Sequence, residues 1–187
     1  MDYGSFYKQI YAPLEAAHGQ IDTNTIVAII GFDAGGPLNF CTIGRDTGAS
    51  IVTYVSCELA VRDEQLPNAN GRYELLASCD QEDWVRSILS DIGRMSLEAV
   101  FNDGDTMDIG GWVNEGWFKR KPPLQGVLFK TESTSIANGQ SFGVLRCIGI
   151  TRPEMVYAQS HGAPSLISLL KENGIYPHTI VSRSSVV

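Results

Sequence analysis

The chain has 187 residues, of which 43% are hydrophobic and 19% charged, and a formal net charge of −7. This composition excludes a disordered or collagen-like chain, and the length is enough for one domain with a buried core. The acidic balance excludes general nucleic-acid binding, which needs clustered Lys and Arg against phosphate, and suits a basic partner.

Residues 5–17 begin as a helix, with Phe6, Ile10 and Leu14 repeating every four residues beside Tyr7 and Tyr11. Pro13 lies inside that pattern and is expected to kink or restart the helix, which His18-Gly19 ends. The β-branched run at residues 25–30 predicts a buried strand. A turn at 31–37 leads to a second strand over 38–43, closed by a loop over 44–48. Alternation over 51–61 predicts one long half-buried strand, with Ile51, Val55, Cys57, Leu59 and Val61 on one face and Tyr54, Ser56 and Glu58 on the other. Another strand is expected over 72–77.

Trp84, Val85, Ile88, Leu89 and Ile92 form an apolar stripe that predicts a helix over 80–92, capped by Asp80 and stopped by Gly93. A short helical turn is expected over 96–101. Residues 102–123 read as a long loop, and loops of that length inside a domain are often functional. Antiparallel strands are predicted over 126–129 and 142–150, with a polar connection over 131–140. Thr151-Arg-Pro-Glu154 is a capping box that opens a helix through about residue 160, and Pro164 opens another that Gly174 caps. Helices gathered at intervals among strands, without βαβ alternation, argue an α+β fold. One domain is expected over 1–175, mostly antiparallel sheet flanked by helices, followed by a Ser-rich tail over 176–187 that is expected to fray.

Tests for chemistry give little. Cys41, Cys57, Cys79 and Cys147 contain no Cys-x-x-Cys pair and read as small buried hydrophobes in a reduced, cytoplasmic setting. The first residues lack a basic region before an apolar core, so no signal peptide is expected, and no apolar run is long enough for a membrane span. His18, His161 and His178 have no partners at ligand spacing, so no metal is expected. Counted from Asp103, the fifth and sixth positions of a calcium loop are Met107 and Asp108, which does not fit an EF-hand. The glycines at 31–36 lack the Lys-Ser/Thr ending of a phosphate loop and precede Pro37. No nucleophile elbow is present. Carboxylates such as Asp33, Asp105 and Glu115 could pair, as in any acidic chain. The runner-up reading is a hydrolase using Asp33, Asp105 or His161 in an acidic or histidine pocket.

Several short segments resemble landmarks of the Suppressor of Fused family, in its compact bacterial form, over roughly residues 5–175. They are Thr42-Ile-Gly44, Glu74-Leu75 on a strand (with Glu58-Leu59 as a competing alignment), Trp84 on a helix, Asn102-Asp-Gly-Asp-Thr106, Ile148-Gly-Ile-Thr151, Glu154-Met155 and His161-Gly162. Asp105 stands where the family has a His, and Gly149 where it has a Pro. The resemblance implies a non-enzymatic module, without cofactor, that holds a protein partner. Its animal members add a partner's strand to their own sheet, and its bacterial members resemble immunity proteins that block a cognate toxin. The residues expected to hold the partner are Trp112, Trp117 and Phe118 as anchors and Asp103, Asp105 and Asp108 as charge complement. Neither nucleic acid nor membrane is expected as a partner.

Overall fold

A computed structural model describes residues 3–43, 50–114 and 123–187. In chain order the elements are α1 (Tyr3–His18), β1 (Ile21–Ile26), β2 (Phe40–Ile43), β3 (Val52–Ser56), β4 (Arg72–Cys79), α2 (Glu82–Met95), β5 (Thr106–Asp108), α3 (Gly110–Asn114), β6 (Leu124–Ala137), β7 (Gln140–Thr151), α4 (Arg152–His161), α5 (Ala163–Glu172) and β8 (His178–Thr179). The strands form one sheet in the order β1-β2-β3-β4-β7-β6-β5, with β8 set against β4. β4 runs parallel to β7 and to β8, and the other pairs are antiparallel. This is the expected α+β class.

Both faces of the sheet are covered, so its central strands are apolar on both sides rather than alternating. On one face, Tyr73, Leu75 and Ala77 of β4 and Leu145 and Cys147 of β7 pack against Trp84, Ile88 and Leu89 of α2. On the other, α1 places Phe6, Ile10 and Leu14 on Leu76, Phe142 and Val144. Farther along that same face, α4 and α5 place Met155, Leu166 and Leu170 on Leu128, Ile148 and Ile150. Between these two clusters lies the side chain of Arg146, which is 1% exposed and pairs with Glu132 at 2.6 Å. Its Nη1 also donates to Ser78 Oγ at 2.9 Å.

Several expectations need correction. The helix at the start runs through Pro13 as one element. The predicted strand over 25–30 is displaced: β1 ends at Ile26, and Val27, Ile29 and Ile30 are exposed, while Phe32 and Leu38 take the buried places. The loop over 44–48 lies outside the described residues apart from its flanks. The long strand over 51–61 stops at Ser56, because the N–H groups of Leu59 and Ala60 turn to the Glu74 carboxylate instead of a ladder. The predicted polar connection over 131–140 is strand. β6 and β7 form a long hairpin closed by Asn138 (φ 51°) and Gly139 (φ 76°), two left-handed residues of the kind a tight hairpin turn demands. The loop over 102–123 contains β5 and α3.

α2 begins at Glu82 without a side-chain cap and continues past Gly93 to Met95. Asp80, expected as its cap, instead accepts from the Val181 N–H at 2.9 Å. That contact belongs to a wider change, since the chain after residue 175 is packed rather than frayed. β8 joins the sheet, Thr179 and Val181 are buried, and Arg183 pairs with Glu154. The capping box at Thr151 and Glu154 is present as expected.

Gly149 occupies a point where a side chain has no room. A Cβ there would lie 2.6 Å from Leu124 Cδ1, 2.7 Å from Thr179 Cγ2 and 3.1 Å from Trp84 Cζ2. Its N–H donates to Thr179 Oγ1 at 2.9 Å. Gly149→Ala is expected to lower unfolding stability by about 1–3 kcal/mol through overpacking, read as a reduced urea midpoint. An unchanged midpoint would show that β8 can move aside freely.

Candidate protein-binding edge

β1 and β5 end the sheet, each with one hydrogen-bonded neighbour among the described residues. β5 is built by its acidic turn. Asn102 N–H donates to Asp105 Oδ2 at 2.8 Å, Gly104 takes φ +87°, and the Gly104 N–H and Asp105 C=O bond both backbone groups of Phe129. Asp103 accepts from Thr131 N–H at 2.6 Å and from Lys130 Nζ at 2.7 Å. Partial burial pushes the Asp103 pKa up, but those two donors outweigh it and hold the carboxyl below its ordinary value. Asp108 accepts from Gly110 N–H at 2.7 Å and lies 3.7 Å from Arg152, both side chains being well exposed. Thus all three predicted aspartates sit beside one short edge strand, are exposed, and each also shapes the local backbone.

The aromatic half of the predicted set divides. Trp112, on α3, is half-buried and packs against the core on the α2 face. Trp117 and Phe118 lie outside the described residues, as do Glu115 and the basic run after Phe118. Asp33, Asp105 and His161 do not share a depression. Asp33 pairs with Arg62 on the turn before β2, Asp105 folds the turn before β5, and His161 stacks on Tyr157 at the end of α4. No group of three or more potential metal ligands occurs among the described residues. No described helix is long and apolar enough to cross a membrane.

Two buried carboxylates organise the frame around these edges; sequence reasoning noted Glu74 only as a family landmark and Glu154 as a landmark and a capping-box residue. Glu74 on β4 is 0% exposed and faces α1. It accepts from Tyr7 Oη at 2.9 Å, Ser56 Oγ at 2.5 Å, Leu59 N–H at 3.2 Å and Ala60 N–H at 2.8 Å. With no cation beside it among the described residues, burial raises its pKa against the lowering effect of those donors. Glu154 on α4 is also 0% exposed, but it faces a guanidinium, with Arg183 Nη1 at 2.5 Å and Nη2 at 2.6 Å. It further accepts from the N–H groups of Thr151 and Val186. Burial raises the Glu154 pKa, and the Arg183 bonds more than reverse that. A signal for both was available in the sequence: an acidic residue within an apolar strand or helix start must find donors.

A groove of about 740 Å³ opens between α1 and the β1–β2 end, lined by Tyr7, Tyr11, Ile21, Cys41, Cys57 and Val61. A shallower one of about 370 Å³ lies by Pro67, Arg72 and Phe142. Neither is lined by Asp33, Asp105 or His161.

The geometry defines a class first: an α+β domain whose sheet, among the described residues, ends in β1 and β5 with one neighbouring strand each, an arrangement suited to holding another chain by strand addition. The family follows from comparison. A family model described as Suppressor of fused protein (SUFU) matches residues 35–184, and the chain belongs to that family. It is therefore a protein-interaction module of the SUFU type. No curated protein matches the chain. Among solved structures, it is similar to one titled the Sufu-Fu complex, at 14% identity and a TM-score of 0.67, covering 97% of this chain and 89% of that one. It is also similar to Drosophila Suppressor of Fused, at 15% identity and a TM-score of 0.70, covering 97% of this chain. The present chain spans about half, 51%, of the Drosophila protein's length. At these identities the two structures support the fold.

Proposed function

We propose that this protein is an immunity protein of the bacterial cytoplasm, which captures a cognate toxin at the β5 edge and so blocks it. The observation that carries the reading is the coincidence of an edge strand, β5, which has one strand neighbour among the described residues, with three exposed carboxylates, Asp103, Asp105 and Asp108, in a chain of net charge −7. An edge strand offers backbone hydrogen bonds to any extended segment, and the carboxylates select a cationic one. In this reading Trp112, packed against the α2-side core, and Trp117 and Phe118 supply the large side chains that anchor an interface. The similarity to a structure titled the Sufu-Fu complex supports a protein as the ligand.

The direct test is co-purification with the product of the adjacent gene, followed by rescue of cells expressing that product. A stable complex and rescue are expected, and absence of both overturns the immunity reading. Replacing Asp103, Asp105 and Asp108 together by Asn keeps their acceptor oxygens for the turn. It should lower the association rate about tenfold at low salt and flatten its salt dependence. A complex that forms at an unaltered rate places the interface elsewhere on the sheet.

A further inference from the structure

Two of the chain's four cysteines differ from the other two in a way that gives them a chemistry of their own. Cys79 and Cys147 are each 1% exposed within the core on the α2 face. Burial pushes the Cys79 thiol up to about 12 and the Cys147 thiol well up. Such thiols are inert. Cys41 is also buried, at 3% exposed, and Cys57 is half-buried, but both line the groove beneath α1, which the other two do not. In the β2–β3 register Cys41 faces Val55, and Cys57 lies two residues beyond Val55, so the two side chains share one face as diagonal neighbours. The Cys57 N–H still bonds Asn39 O at 3.2 Å, which keeps the two backbones side by side there. Cys57 is also the first residue after β3, where the chain leaves the ladder and can adjust. Each thiol shifts the other, lowering the pKa of Cys41 and raising that of Cys57.

We propose that Cys41 and Cys57 form a dithiol site that reacts with a small disulfide entering the groove and closes to a cross-strand Cys41–Cys57 disulfide. The Cys41 thiolate attacks one sulfur of the small disulfide RSSR, forming a mixed disulfide and expelling RS⁻, which takes up a proton. Cys57 then loses its proton to solvent, and its thiolate attacks the Cys41 sulfur of the mixed disulfide, expelling the second RS⁻, which is protonated in turn. Two protein thiols are oxidised to one disulfide, and one small disulfide is reduced to two thiols. The groove fits this role because it is an open way in for a small molecule, and its volume of about 740 Å³ lies within the range of small-ligand sites. Closure clamps the end of β3 to β2 under α1. This inference stands on the groove and the strand register and is independent of the immunity reading.

The test uses the folded, fully reduced chain and oxidised glutathione as the probe. Intact mass should fall by about 2 Da, the loss of two hydrogens, with the bond mapped between Cys41 and Cys57 after digestion. Cys79 and Cys147 should stay reduced and become alkylated only after unfolding. Cys57→Ser should instead accumulate a single glutathione adduct on Cys41, with folding checked by circular dichroism. The wild-type result decides the matter even if that variant folds poorly. Four thiols that all remain reduced in the folded chain, a glutathione adduct that never resolves, or a bridge involving Cys79 or Cys147 would each overturn the proposal.

Discussion

Replacing Glu74 by Ala is expected to lower unfolding stability by about 3–5 kcal/mol, a large part of the total for a domain of this size. The carboxylate is wholly buried and is the shared acceptor for Tyr7, Ser56, Leu59 and Ala60. Without it, donors from α1, β3 and the segment after β3 lose their partner at once, and the cost is that of leaving them dry and unpaired. Glu74→Gln should cost less, since one of its two terminal atoms still accepts. Its pH behaviour has a definite sign. Burial raises the folded-state pKa, so the stability Glu74 contributes is full below its ordinary unfolded value and declines as pH rises through the folded value. Urea midpoints measured from pH 4 upward should therefore show the wild-type advantage over Glu74→Gln shrinking with pH. An advantage that grows with pH would mean the carboxylate is stabilised in its charged form.

Arg183→Ala is expected to cost roughly 3–5 kcal/mol as well, because it leaves the Glu154 charge buried without its cation. Here the loss should be local in its first effect. Arg183 ties the last residues both to Glu154 and to Gly149 O, at 3.1 Å. Amide exchange at residues 178–186 should accelerate by well over tenfold, with α1 protected as before. The same region should open in acid. The folded-state pKa of Glu154 is depressed, so its contribution is full above the ordinary carboxylate value and is lost as pH falls through the folded value. Uniform exchange across the whole molecule in Arg183→Ala would show that the tail is not a separate unit.

These two residues also mark where the sequence could be read and where it could not. Local signals carried far. The Thr151–Glu154 capping box, the α2 stripe and the Gly19 helix end all lie within a few residues of the feature they determine. Misreadings came where a distant partner overrode local pattern. The alternation over 51–61 was overruled by a carboxylate on β4, and Asp80 was drawn from helix capping to the Val181 N–H, a partner 101 residues away. One miss was local: Asn138-Gly139 is a strong hairpin signal, and the polar character of the flanking residues hid it. At the candidate edge, residue type and neighbourhood placed Asp103, Asp105 and Asp108 together, whereas the half-burial of Trp112 depended on the α2-side core forming around it.

The sheet consists of two antiparallel meanders, β1–β4 and β5–β7, welded along the parallel β4–β7 seam. Its opposite rims therefore belong to different meanders, and a copy of the molecule could in principle continue the sheet of its neighbour indefinitely. The carboxylates beside β5 bear on that hazard. A second molecule carrying the same surplus of negative charge is repelled on approach, so the carboxylates proposed here to select a cationic partner also oppose stacking of like molecules.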